Sequence, residues 1–126
     1  MIHLDTSLLV DTLAGARRSA PALRRAIEQG ERLAASTLVL YEWLRGPRLP
    51  AELEAQEALL PTERAIAFGA REAALAAQLF GAVRRPRGRE IDLAIAACAL
   101  THDALLWTLN PKDFADIPGL ALFAGG

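Results

Sequence analysis

The sequence contains one cysteine, Cys98, one lysine, Lys112, and two histidines, His3 and His102, in 126 residues. A single thiol cannot close an internal disulfide or build a cysteine zinc site. The histidines have no spacing suited to zinc, so both read as structural. No apolar run approaches the ~20 residues needed to cross a bilayer. No basic segment followed by a long apolar one opens the chain. The expectation is a cytoplasmic protein with no membrane partner. Net charge is −1, so no overall field draws nucleic acid, and any such attraction has to be local.

The length implies one domain, residues 1–126, able to bury roughly two-thirds of the surface its unfolded chain exposes. The opening stretch Met1-Ile-His-Leu-Asp5 reads as a strand ending at an acid, and Thr6 and Ser7 follow as candidate helix caps. Further strands are expected at Leu33–Ala35, Ala65–Phe68, Leu105–Thr108 and Leu120–Phe123. Helices are expected at Thr6–Leu13, Ala22–Gln29, from Ser36 or Thr37 to Arg45, Ala51–Leu60, Gly69–Val83 and Glu90–His102. Strands alternating with helices predict an α/β domain with a mostly parallel sheet covered on both faces. Asp5 then sits at the carboxyl end of a strand, where such sheets open their ligand crevice.

Each acid has an ordinary explanation when taken singly. Asp5 is either a helix cap or part of a site. Glu42 lies in the apolar helix Leu38-Val-Leu-Tyr-Glu42-Trp-Leu-Arg45, where burying an unpartnered carboxylate is costly; it is equally an ion-pair partner for Arg45. Asp92, in the first turn of an alanine-rich helix, benefits from the helix dipole, although Glu90 already fills that role. Asp113 and Asn110 follow a strand and suit a turn. Together they point to one crevice, provided the first and fourth strands are neighbours. Several carboxylates there repel one another unless a cation is present, and hard oxygen ligands suit Mg²⁺ or Mn²⁺. Such a cluster beside a phosphate is equipped to hydrolyse a phosphodiester.

At this point the segments Leu4-Asp5-Thr6-Ser7, Glu42 in its apolar helix, Ile91-Asp92-Leu93-Ala94-Ile95-Ala96-Ala97 and Thr108-Leu109-Asn110-Pro111-Lys112-Asp113-Phe114 resemble the PIN-domain ribonucleases. The resemblance is specifically to the VapC toxins of bacterial and archaeal toxin–antitoxin pairs, and it runs in order through essentially the whole chain. It implies a PIN-like three-layer α/β/α sandwich with a five-stranded parallel sheet ordered 3-2-1-4-5, and a Mg²⁺- or Mn²⁺-dependent endoribonuclease. On the same resemblance Asp5 and Asp92 are the main metal ligands, Glu42 is a further acid, and Asp113 or Asn110 completes the pocket. Thr6 and Thr108 supply polar support. It also implies a homodimer, a cognate VapB-type antitoxin, and structured RNA of the tRNA or rRNA class as substrate. Asn110 stands where some relatives carry an acid, and Pro111 where many carry a polar residue; both departures bear on a second metal more than on the first.

The loop Arg84-Arg85-Pro-Arg87-Gly-Arg89 offers four arginines in six residues, either to grip RNA phosphates or simply as a solvated loop. Other acid-based phosphoryl-transfer folds fit less well. A receiver domain requires a phosphorylatable Asp ending a middle strand, which Ala65–Phe68 lacks. A haloacid-dehalogenase-like phosphatase needs a second Asp where Ser7 stands. An RNA-processing PIN nuclease and an inert PIN-like binding module are the alternatives within the family.

Overall fold

Ile2–Leu4 forms the central strand, β1, and all three of its residues are buried. A strand covered on both faces reads as an unbroken apolar run, and only His3 departs from that here. Burial lowers the His3 imidazole from 6.5 to about 4, so it stays neutral in the core. The computed structural model describes residues 1–125. It pairs β1 in parallel with β2 (Leu33–Ala34) on one side and β3 (Leu105–Trp107) on the other. Ile2 lies opposite both Leu33 and Leu105, and Leu4 lies opposite Trp107. The chain therefore places the first strand beside a strand more than a hundred residues later, as the convergence of the acids requires.

Among the described residues six helices accompany this sheet: α1 (Thr6–Leu13), α2 (Ala20–Glu28), α3 (Thr37–Arg45), α4 (Pro50–Leu59), α5 (Ala70–Ala82) and α6 (Glu90–Thr101). Their starts follow local chemistry. Pro21 falls in the first turn of α2, where a missing N–H costs nothing, and α2 starts at Ala20, ahead of the expected Ala22. The Ser36 hydroxyl caps α3 by accepting the Val39 N–H at 3.3 Å. Helices α4 and α5 open with acids that reach back: Glu52 accepts the Leu49 N–H at 2.8 Å and Glu72 the Gly69 N–H at 3.1 Å. Both acids are buried, and both are spent on orphan helix donors. Helix α6 is different. Leu93 to Ala99 are buried without a break, so this helix has no solvated face along most of its length. It packs against α5, α3 and β3, and its small alanines permit that close approach.

The expected five-stranded sheet is reduced to three named strands among the described residues. The Ala65–Phe68 segment contributes only a parallel bridge, Ile66 to Ser36, and the Leu120–Phe123 segment only Leu122 to Leu106. Ser36 lies just beyond β2, whereas Leu106 is the middle residue of β3. Partner length explains the shortfall. Strand β2 has two residues before Ser36 turns the chain into α3, so Ile66 finds just the Ala35 carbonyl and the Thr37 N–H, each at 2.9 Å. The Gly69 N–H then bonds back to the Ala67 carbonyl and bends the chain away. On the other edge β3 is three residues long, and Leu106 alone exchanges bonds with the last segment, through the Ala121 carbonyl and the Phe123 N–H.

The core gathers Leu8 and Leu9 of α1, Val39 and Trp43 of α3, Ile95 of α6, and Phe114 just beyond the Pro111–Asp113 turn. Cys98 is buried within α6, a small core residue as its apolar surroundings suggested. No described helix is long and apolar enough to cross a membrane.

Candidate active site

Asp5 occupies the N-cap position of α1, yet its side chain makes no capping bond. An N-cap aspartate ordinarily accepts an N–H from the first helical turn, so this carboxylate has another use. Its backbone N–H bonds to the Trp107 carbonyl at 2.9 Å, which fixes it at the carboxyl ends of β1 and β3 together. Its Oδ2 accepts two hydroxyls, Thr108 Oγ1 at 2.7 Å and Ser7 Oγ at 2.9 Å. These hydroxyls are held in turn by the next loop, since Leu109 N–H donates to Ser7 Oγ at 3.1 Å and Asn110 N–H to Thr108 Oγ1 at 3.0 Å. The neighbouring strands β1 and β3 thus share one polar knot around a buried carboxylate.

Glu42 reaches the same end of the sheet from α3. Its Oε1 accepts the Thr6 hydroxyl at 2.6 Å, linking it to the residue that follows Asp5. The Arg45 pairing expected as its ordinary role exists at 3.5 Å, with the Arg45 side chain 58% exposed. An exposed pair of that kind contributes a few tenths of a kcal/mol at most. The helix is also less enclosed than its composition suggested, because Tyr41 and Leu44 are exposed and only Val39, Leu40 and Trp43 are buried.

Asp92 is the residue where the acids meet electrostatically. It is half-buried in the first turn of α6 and makes no capping bond there. Burial first, then the charges of Asp5, Asp113 and Glu42, raise its carboxyl from 3.8 to about 6; the Arg89 guanidinium opposes the rise. Burial is the larger cause, and the three carboxylates add to it in the order Asp5, Asp113, Glu42. The four acids foreseen as a cluster come from the carboxyl end of β1, the turn after β3, α3 and α6, with Asp5 held against β3 and Glu42 bonded to the Thr6 that follows it.

Asp113 sits at the end of the 3₁₀ turn Pro111–Asp113, with Phe114 buried behind it. The two candidates for the last polar position are both exposed; Asp113 is coupled by charge to Asp92, whereas Asn110 caps this turn through its backbone carbonyl, which accepts the Asp113 N–H at 3.0 Å. Arg89, at the N-cap of α6, clasps this turn from the other side. Its two terminal nitrogens bind the Asp116 carboxylate at 3.0 and 2.6 Å, and Nη2 also donates to the Asp113 carbonyl at 2.9 Å. Of the four arginines in the loop, Arg89 is thus committed to the fold. Arg84 and Arg85 line an open groove with Lys112, and Arg87 is exposed elsewhere on the loop.

The donor set is suited to a hard divalent cation. The charges that bear on the Asp92 carboxyl are what such an ion relieves, and Asp5 Oδ2 is already oriented by two hydroxyls. Among the described residues no three His, Cys, Asp or Glu side chains close into a ready-made cage. Mg²⁺ does not require one, because it keeps several waters and is commonly held by one or two carboxylates plus substrate phosphate. Asp5 and Asp92 are the pair that would hold it.

Two residues at the site escaped sequence reading. Ser7 looked like a helix cap, and only its bond to Asp5 shows its other use. Asp116 gave no signal, because its role depends on an arginine 27 residues earlier.

A buried acid at the carboxyl end of a central parallel strand, joined by further acids from a neighbouring strand end and two helix turns, is the arrangement of a phosphodiester-cleaving α/β domain. The chain belongs to the PIN domain family, whose model matches residues 2–120. It is 36% identical over 129 residues to ribonuclease VapC19 of Mycobacterium tuberculosis (strain CDC 1551 / Oshkosh), covering 93% of this chain and 94% of that protein. Among solved structures it is similar to VapBC2 from Rickettsia felis bound to a DNA fragment from their promoter (TM-score 0.73, 24% identity, 98% of each chain). It is similar also to a toxin–antitoxin complex from Klebsiella pneumoniae (TM-score 0.71, 26% identity, 96% of each chain).

Proposed function

We propose that this protein is a metal-dependent endoribonuclease and the toxin of a VapBC-type toxin–antitoxin pair, cutting structured RNA of the tRNA or rRNA class and so inhibiting translation in the cytoplasm. The observation that carries the reading is the buried Asp5 carboxylate, fixed by Ser7 and Thr108 where β1 and β3 end, with Glu42 bonded to the adjoining Thr6. The similarity to ribonuclease VapC19 supports the activity, and the similarity to toxin–antitoxin complexes supports a VapB-type antitoxin as partner. In a three-layer sandwich of this family the segments at Ile66 and Leu122 complete the five-strand order.

In this reading Asp5 and Asp92 hold Mg²⁺ or Mn²⁺, which when bound lowers the pKa of an attacking water and offsets charge at the phosphate. Ser7 and Thr108 keep Asp5 in one rotamer. Glu42, steadied by Thr6, takes up the proton as water oxygen bonds to phosphorus; the phosphorus–oxygen ester bond breaks and the leaving oxygen takes a proton from solvent. Asp113 completes the acidic wall. The family resemblance further implies a homodimer.

Inducible expression of wild type beside Asp5→Asn, with sequencing of RNA cut ends, tests the proposal. Growth arrest and new cut ends only with wild type are expected. Arrest that persists in Asp5→Asn overturns the metal-site mechanism. Cut ends without arrest mark a nuclease that processes RNA and has no toxin role.

A further inference from the structure

Beside the acids lies a groove of about 520 Å³ lined by Arg84, Arg85, Arg89, Lys112, Asp113 and Asp116. Its charges do not cancel evenly. Arg89 and Asp116 neutralise each other through two short bonds, which leaves Arg84, Arg85 and Lys112 facing Asp113 alone. These three cations are exposed and make no hydrogen bond or ion pair among the described residues.

The groove is built rather than being a stretch of free loop. Buried Val83 anchors the end of α5, and Arg84 and Arg85 follow it at a helix C-terminus that favours cations. The Arg89 N–H bonds to the Pro86 carbonyl at 3.0 Å across Gly88, whose φ of +86° suits glycine. The Gly88 N–H adds a bond to Glu90 at 2.8 Å. Lys112 comes from the opposite wall, on the turn that carries Asp113. The groove and the acid cluster therefore share Asp113 as their common edge.

We infer that this groove is a phosphate subsite, in which Arg84, Arg85 and Lys112 hold an RNA phosphate next to the one being cut. Arg89 is not one of its contacts; it braces the wall. The inference rests on the endoribonuclease reading above and assigns that activity its substrate-gripping residues. It also gives a chain with net charge −1 a local attraction for RNA, at the groove beside the acids.

The test is binding of a fluorescent mixed-sequence single-stranded RNA to the full chain in EDTA, over a range of salt concentrations, so that no cleavage intervenes. Loss of two phosphate contacts in the Arg85→Ala, Lys112→Ala double variant should flatten the slope of log K against log salt by about 1.4. Arg84→Ala alone should flatten it by about 0.7. Arg71→Ala, at the far end of α5, roughly 18 Å of helix away, should leave it unchanged. In steady-state cleavage the double variant should raise KM and spare kcat. Unchanged slopes, or wild type that binds too weakly to give one, overturn the inference. So does a double variant that loses only its affinity for a glutamate-rich peptide, which would give the groove to a protein partner. Wild type that binds with the expected slope and never cleaves overturns the endoribonuclease reading and leaves the subsite standing.

Discussion

Replacing Asp92 with Asn should stabilise the metal-free protein at neutral pH while abolishing cleavage. In the folded chain the Asp92 carboxyl is raised from 3.8 to about 6, by burial and by Asp5, Asp113 and Glu42. A folded-state pKa above the unfolded one means that folding favours the protonated form. That stability is fully present below the unfolded pKa and is lost as pH rises through about 6. A shift of two units corresponds to at most about 3 kcal/mol. Asp92 is only half-buried, so solvent screening cuts this to about 1–2 kcal/mol. Asparagine keeps the shape and never ionises. Urea denaturation in EDTA should therefore show Asp92→Asn more stable by about 1–2 kcal/mol at about pH 7.5, with most of the gap gone at about pH 4. The His3 imidazole, pushed down to about 4, weakens both proteins in acid, so it cancels in the difference. Adding Mg²⁺ at neutral pH should narrow the gap by stabilising wild type alone. A gap that does not change with pH, or that favours wild type, would refute the claim that these acids share one crevice.

Two further perturbations probe the supports of the site. Thr108→Val removes one of the two hydroxyls on Asp5 Oδ2 and should cost about 1 kcal/mol of stability, with a larger fall in kcat and recovery in Thr108→Ser; full activity in the valine variant would show that Asp5 needs no such support. Arg89→Ala breaks the exposed pair with Asp116 and should change stability by no more than about 1 kcal/mol. Its kcat should fall well beyond what that loss explains, because the Asp113 turn loses its clasp, and an unchanged kcat would reduce Arg89 to a surface residue.

Local chemistry made most of the helices readable from sequence. Ser36, Pro21 and the apolar spacing of α5 each mark a boundary or a face without outside help. The outer strands did not carry that kind of information. Ala65–Phe68 has strand composition, but its pairing is limited by how soon its neighbour caps a helix, a property of residues 36 and 37. The acids show the same division. Asp5 was visible as an acid ending a strand, yet the choice between cap and site depended on Thr108, more than a hundred residues away. Glu52 and Glu72 are also buried acids, and only their bonds to Leu49 and Gly69 remove them from the catalytic set. Ser7 and Asp116 act through partners that no neighbouring residue announces.

Because α6 has no outward face from Leu93 to Ala99, the carboxylate it carries cannot be adjusted independently of the interior. A population of cells selected to escape this protein would collect inactivating changes along Ala94, Ala96 and Ala97 as readily as at Asp92 itself. Any larger side chain there wedges the helix outward and carries the acid with it. The mutational spectrum of survivors would trace the route of a buried helix, and its heaviest losses would fall at positions that never meet RNA.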